Sequence, residues 1–385
     1  MSPESVSRRL MIVTSIHPDF DKRVWRHARS IARLGWRVEV VCPWRVQAGS
    51  SVDGVHFFPF PPVRGRLARP FLVPWRVFRV MMRAVRRADV VHFHDLDILP
   101  WMSVVSFFKP VVYDVHENYP DEMLVREWIP RALRQPLYFL VKWGQKGFSR
   151  IIGNVVLVTE AQRPDFPATG VRVAYVKNFA SEDLVQMAAD DYASRPDRVL
   201  FTGSHYALNG SWLLLDIAEC VKSCNSEVQF VVADRFSNRR MREEWQKAVR
   251  QRRLEGTVQL VSGVAPPEIM TLLNQGTIGI NPVLRVDKQS KAINTKLFEF
   301  MAAGIPFVSS DLEFPSQLVR ETGAGLLARP ESPKSFARAI MDLVEDRNAA
   351  EEMGRRGRQA FLEDFTWESQ MPRLCEFYEE LLRSR

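Results

Sequence analysis

Residues 10–42 read LMIVTSIHPDFDKRVWRHARSIARLGWRVEVVC, and this stretch decides the fold. An apolar, β-branched run (10–16) gives way to a helical pattern from about Lys22 to Leu34, and a second such run, VEVVC, follows at 38–42. Apolar residues at consecutive positions belong to strands covered on both faces, as in a parallel sheet. Asp21 is placed to cap the intervening helix and Gly35 to end it.

The same alternation spreads outward. ADVVHF (88–93), PVVYDV (110–115), NVVLV (154–158) and RVAYV (172–176) continue the strands of the first half. The pattern then restarts with RVLFTG (198–203), VQFVVAD (228–234), TVQLVSG (257–263), IGINP (278–282), IPFVSS (305–310) and GLLA (325–328). Helices are expected between them at about 210–223, 239–252, 267–275, 295–302, 333–345 and 348–363. This predicts an α/β protein of two doubly wound, Rossmann-like domains, 1–180 and 181–365, with a joint near Asn178–Ser181. A last helix, about 367–382, lies in a segment (366–385) expected to cross back to the first domain. Ligands of open parallel sheets sit at the carboxyl ends of the strands, so a site in a cleft between the domains is expected.

Composition agrees. The chain has 385 residues, 46% of them hydrophobic and 25% charged, which excludes a disordered, collagenous or coiled-coil protein. Four scattered cysteines (Cys42, Cys220, Cys224, Cys375) make neither a disulfide framework nor a C-x-x-C metal site, and a reducing cytoplasm is the expected compartment. The N-terminus runs straight into a strand, so no secretory signal is expected. The longest apolar stretch, ILPWMSVVSFF (98–108), is too short to span a bilayer.

Charge is unevenly spread. Residues 1–180 hold 27 Lys and Arg against 15 Asp and Glu, and residues 181–385 hold 26 against 30. A basic half suggests that one domain meets a polyanionic surface. Nucleic acid is an unsuitable partner, since neither an aromatic stacking platform nor a recognition-helix pattern accompanies the charge. From Arg64 to Arg87 there are eight arginines and no acidic residue. Helical spacing sets Arg76, Arg79, Arg83 and Arg86 along one stripe beside Trp75, Phe78, Met82 and Val85. A second segment, 126–150, mixes six basic residues with Trp128 and Trp143. Apolar faces edged by Lys and Arg describe helices that lie on anionic lipid.

Chemistry is expected in the loops that follow the strands. No G-x-G-x-x-G occurs, which argues against a classical dinucleotide enzyme. After the first strand, His17, Asp21 and Arg23 lie on the switch-point loop, with Asp21 either a ligand or only a helix cap. His94 and Asp95 leave one strand end toward the cleft, and His116 and Glu117 leave another; such a cluster points to function. Asp95-Leu96-Asp97 is formally a metal–diphosphate D-x-D, but Asp97 reads better as the N-cap of the next helix. In the second half, Asn294 or Thr295 caps a helix whose free N–H groups attract an anion. Lys296 and Glu299 share one face of it, about 4.5 Å apart along the axis. That spacing suits a diphosphate at Lys296 with ribose hydroxyls reaching Glu299. Phe298, Met301 and Ala302 bury the opposite face, and Gly304 stops the helix.

With these motifs in view, the chain resembles the retaining GT-B-fold glycosyltransferases of bacterial capsule, exopolysaccharide and lipopolysaccharide synthesis. The matching stretches are DFDKRVWRHARSIARLGWRVEVV (19–41), HDLDILP (94–100), VVYDVHENYPDEM (111–123), VKNF (176–179), NTKLFEFMAAGIPFVSSDLEFPSQLV (294–319), GAGLLARPESPKSFARAI (323–340) and RNAAEEMGRRGRQAFLEDFTWESQMPRLCEFYEELL (347–382). The resemblance implies transfer of a sugar from a nucleotide-diphosphate donor, with retention and with no metal or other cofactor. It implies that the second domain holds the nucleotide sugar and the first a glycan or lipid-linked acceptor, at the inner face of the plasma membrane. Glu299 matches the family's ribose-binding acid, Lys296 a lysine near the phosphates, and His116 a histidine close to the transferred sugar. His94 and Asp95 match its cleft-facing pair.

The chain departs from the family pattern at two points. The first acid of the family's Glu-x7-Glu falls on Lys291, and the usual basic pair after the first strand of the second domain is replaced by TGSHYALNG, with Gly203 and His205. Lys288, Lys291 and Lys296 would then together neutralise a leaving diphosphate. Two other readings share the fold: a non-catalytic sugar-nucleotide-binding relative, and a sugar-nucleotide epimerase that turns over donor with no acceptor present.

Overall fold

Fourteen strands in two sheets carry the fold of the computed structural model, which describes residues 8–17, 22–43, 51–63, 69–82, 84–115, 118–125, 129–205, 207–236, 238–262, 268–285 and 293–384. The chain divides into two units, Met1–Asn178 with Gln370–Arg385, and Phe179–Ser369. The sequence set the return at 366. Thr366 instead bridges Ala180, and the Trp367 amide donates to the Ala180 carbonyl at 2.8 Å, which keeps these residues in the second unit.

In the first unit, β1 (Arg9–Val13), α1 (Lys22–Arg33), β2 (Arg37–Cys42), β3 (Ser51–Val52), β4 (Val55–Pro59), α2 (Arg69–Met81), β5 (Val90–Phe93), α3 (Leu99–Val105), β6 (Val111–Val115), α4 (Tyr119–Val125), α5 (Arg131–Ile152), β7 (Asn154–Leu157) and β8 (Arg172–Tyr175) follow in order. The sheet order is β3-β4-β2-β1-β5-β6-β7-β8, parallel except for the short β3–β4 pair. Its switch point lies between β1 and β5, where Val13 pairs with Phe93. Strand β4 was not foreseen. Its residues, VHFFP, end in a proline, yet Val55 and Phe57 are buried beside β2.

The second unit contains α6 (Asp183–Gln186), β9 (Arg198–Phe201), α7 (Leu213–Cys224), β10 (Gln229–Ala233), α8 (Arg239–Gln251), β11 (Val258–Val261), α9 (Ile269–Leu273), β12 (Ile278–Asn281), α10 (Thr295–Ala302), β13 (Phe307–Ser310), α11 (Glu313–Thr322), β14 (Gly325–Ala328), α12 (Pro333–Glu345) and α13 (Arg347–Asp364). Its six strands, β11-β10-β9-β12-β13-β14, are all parallel and have the order of the six-stranded Rossmann sheet, with the switch point between β9 and β12. Helix α11 is absent from the sequence expectation and contains a proline. Pro315 sits in the helix's first turn, where the missing N–H costs no intrahelical bond. The last helix, α14 (Met371–Arg383), belongs to the first unit, as expected of a segment crossing back.

Each sheet has its own apolar core. No helix among the described residues is long and apolar enough to cross a membrane.

Candidate active site

In the second unit, the chain leaves β9 at Phe201 and passes through Thr202, Gly203 and Ser204 beside the switch point. Helix α10 starts at Thr295 with Asn294 in the N-cap position, as the sequence implied, and ends before Gly304, whose φ of 67° only glycine adopts without strain. Far from showing one polar face, α10 is buried all round. Lys296 and Glu299 are buried with Leu297, Phe298, Phe300 and Met301.

Lys296 Nζ lies 4.9 Å from the centre of the Phe201 ring and has no hydrogen-bond partner among the described residues. A Cβ built on Gly203 would come within 2.7 Å of that nitrogen, so the glycine makes the room it occupies. Burial pulls the ammonium's pKa down to about 8; the Glu299 charge opposes that fall and Arg235 adds to it. A cation with no partner among the described residues, in the first turn of a helix and with a carboxylate one turn on, can receive an anion that carries hydroxyl groups.

The sequence-predicted residues of this unit divide. Gly203, Asn294, Thr295, Lys296 and Glu299 belong to the helix or the loop beside it. His205 does not serve as a replacement cation. Its ring is fully buried, stacked on Phe236 at 3.9 Å and edge-on to Trp245, with Nε2 on the Ala233 carbonyl at 3.0 Å. Burial lowers its pKa to about 4, so it is neutral. Lys288 and Lys291 lie outside the described residues.

In the first unit, the ends of β1 and β5 meet at the switch point. Asp95 Oδ2 accepts from the Thr14 hydroxyl and the Ser15 amide, both at 2.7 Å, and Oδ1 lies 3.3 Å from His17 Nε2. Burial alone would raise its pKa, but the His17 contact, the Thr14 hydroxyl and the Ser15 amide together hold it below the usual carboxylate range. Asp97 does not cap α3, which begins two residues later at Leu99; its Oδ1 accepts from the Ser15 hydroxyl instead. The expected cleft-facing pair is therefore interior, since His94 and Asp95 are both fully buried.

Beneath them lies a network that the sequence reading missed. Arg23 grips both Asp114 oxygens at 2.9 and 3.1 Å. The same carboxylate lies 3.2 Å from His92 Nε2 and 3.3 Å from His94 Nδ1. The Tyr378 hydroxyl of α14 sits 2.9 Å from His27 Nε2 and 2.8 Å from His92 Nδ1. Liganding atoms of His27, His92, His94 and Asp114 fall within 4.8 Å of one another, a geometry open to a metal ion. Arg23 already balances the single carboxylate, so a divalent ion would have to compete with a guanidinium. Burial raises the Asp114 pKa, but Arg23, His94 and His92 together lower it by more, leaving it well below the usual range; burial lowers His27 and His92.

Arg23, expected on the acceptor side, is thus a buried structural partner. Asp21, His116, Glu117 and Arg83 lie outside the described residues. The four-arginine stripe is also corrected. Helix α2 ends at Met81, a 3-10 turn (Val85–Arg87) follows, and Val85 is buried, so Arg86 cannot extend the spacing of Arg76 and Arg79.

Comparison with known proteins gives a concordant result. The description "Glycosyltransferase Family 4" matches residues 21–179, and "Glycosyl transferases group 1" matches 196–346. The chain is 19% identical to glycogen synthase of Mycobacterium tuberculosis over 76% of its length and 69% of that protein's. It is 24% identical to phosphatidyl-myo-inositol mannosyltransferase of Mycobacterium leprae, over 77% and 74%. Among solved structures, HepE of Anabaena in complex with UDP-glucose superposes with a TM-score of 0.71 at 14% identity, covering 97% of this chain and 99% of that one.

Proposed function

Since the chain belongs to the GT-B glycosyltransferases of group 1 and family 4, we propose that it moves a sugar from a nucleotide-diphosphate donor to a lipid-linked glycan acceptor, with retention and without a metal, in the synthesis of cell-surface polysaccharide. The observation that carries this reading is the buried Lys296 ammonium beside Gly203, without a hydrogen-bond partner among the described residues and one helical turn from Glu299. The diphosphate takes Lys296 and the first turn of α10, and Glu299 accepts from the ribose hydroxyls. As the bond from the anomeric carbon to the diphosphate breaks, negative charge grows on the leaving group. A cation already desolvated and in place stabilises that charge most when it is largest. The acceptor hydroxyl joins the same face of the sugar and gives its proton to the departing phosphate.

The acceptor belongs on the first unit, and a lipid-linked acceptor sets the enzyme at the inner face of the plasma membrane. Arg76, Arg79, Trp75 and Phe78 of α2 support this, as does a mannosyltransferase relative whose name includes a phosphatidylinositol.

A thermal-shift screen against UDP-, GDP-, ADP-, dTDP- and CMP-sugars tests the donor reading. The right donor at about a hundred times its Kd adds roughly 2.7 kcal/mol of stability. No response to any nucleotide or nucleotide sugar would overturn it.

A further inference from the structure

Three helices of the first unit expose apolar side chains. On α5 the exposed positions Leu133, Phe139, Leu140, Trp143 and Ile151 recur at helical spacing, so its outward stripe is apolar. On α2 the exposed positions are Leu72, Trp75 and Arg79. On α3 they are Trp101 and Val104, and the turn that follows leaves Phe107 and Phe108 at 73% and 75% exposure. These faces are neighbours. Phe78 and Trp101 rings lie 5.9 Å apart across α2 and α3, and α3 packs against α5. An exposed apolar area spread over three helices exceeds what isolated surface residues produce.

The charge pattern identifies the occupant. None of α2, α3 or α5 contains an Asp or Glu, whereas Arg76, Arg79, Arg131, Arg134, Lys142 and Lys146 lie among the apolar positions. Three tryptophans (Trp75, Trp101 and Trp143) stand exposed among them. Exposed Trp and Phe on helices whose own charges are all positive suit the boundary between anionic headgroups and acyl chains, although Lys142 is paired with Asp165. Attraction to headgroups alone does not call for exposed apolar side chains such as Phe107, Phe108, Leu140 and Trp143.

We infer that the outward faces of α2, α3 and α5 form a surface that inserts into the acyl-chain boundary of an anionic bilayer, led by Phe107 and Phe108. The inference rests on the membrane reading above and goes beyond it, since it assigns part of the binding to apolar burial that salt cannot screen. The stretch ILPWMSVVSFF, too short to span a bilayer, lies along it instead.

The test uses the full chain with vesicles of phosphatidylcholine and phosphatidylglycerol, read by co-sedimentation and by quenching of tryptophan fluorescence with brominated acyl chains. Raising salt from about 0.1 M to about 1 M shortens screening from about 10 to about 3 Å. The wild type should keep a salt-resistant, quenched fraction. Phe107→Ser with Phe108→Ser should lose that fraction and weaken partition by about tenfold or more. Phe107→Trp with Phe108→Trp should bind at least as tightly, which separates insertion from misfolding. If the wild type pellets with no vesicles, the membrane reading and the inference fall together. If salt releases all of it and the serine pair changes nothing, only the inference falls. A dimer that the serine pair converts to monomer would show the face covered by a second copy, and would also overturn it.

Discussion

Gly203 and Lys296 fit together so closely that a Cβ on the first would stand 2.7 Å from the Nζ of the second. The two are far apart in sequence but meet beside the switch point of the second sheet, one after β9 and one at the start of α10. Gly203→Ala should therefore displace the ammonium, which sits at the far end of a flexible chain, and also press on the buried Phe201 ring, whose Cζ lies 3.1 Å from the new Cβ. Donor affinity should drop by about ten- to a hundredfold, the value of a hydrogen bond to a charged group. Lys296→Ala should cost as much in affinity and also slow turnover, whereas Glu299→Ala should act mainly on affinity. Adding Gly203→Ala to Lys296→Ala should do nothing further, because they remove the same interaction. Donor titration of the four variants checks this; additive losses would separate the two residues.

Donor binding should depend on pH through Lys296. Burial lowers its pKa to about 8, and a bound diphosphate favours the charged form. Affinity should be level below pH 8 and then fall toward tenfold per pH unit above it, with proton uptake on binding near pH 8. Calorimetric titration in buffers of different ionisation heat measures that uptake. In Lys296→Ala the dependence should vanish, and a profile level through pH 9 in the wild type would contradict the assignment.

Activity should survive EDTA. The carboxylates of the D-x-D, Asp95 and Asp97, are occupied by Thr14, Ser15 and His17, and in the proposed donor complex the diphosphate charge falls to Lys296 and the α10 N-terminus. Transfer measured with and without chelator decides it; loss restored by Mn²⁺ or Mg²⁺ would return the pair to metal binding.

The sequence revealed most of the fold because buried parallel strands have continuous β-branched runs that few other structures share. Strand β4 and helix α11 escaped; each carries a proline, Pro59 and Pro315, which resembles a break until the end it occupies is known. Lys296 and Glu299 were legible as a pair three residues apart on one helix. That both are buried was not, since it follows from how α10 packs on the sheet. The cluster of His27, His92, Asp114 and Tyr378 assembles from α1, β5, β6 and α14, and no local spacing joins residues so distant. One signal was available. His92 and Asp114 are polar residues within otherwise apolar strand runs, and such residues need partners inside.

That cluster should make stability fall in mild acid. Burial lowers the pKa of His27 and His92 in the folded state, against about 6.5 unfolded. Their contribution is complete above pH 6.5 and declines as pH falls below it, because the unfolded chain takes up the protons first. The slope is up to about 1.4 kcal/mol per pH unit for each histidine. Asp114, depressed chiefly by Arg23 against its burial, keeps its contribution until pH nears the ordinary carboxylate value of about 4. Tyr378→Phe removes the oxygen lying between His27 Nε2 and His92 Nδ1 and should cost about 1–3 kcal/mol at neutral pH. Because the same hydroxyl ties α14 to α1 and β5, protease cleavage near the C-terminus should also quicken in the variant. Urea unfolding from pH 5 to 8, for wild type and variant, reads both effects. A wild-type stability unchanged between pH 7 and pH 5 would mean that the histidines are protonated in the folded protein, and would refute this account of the cluster.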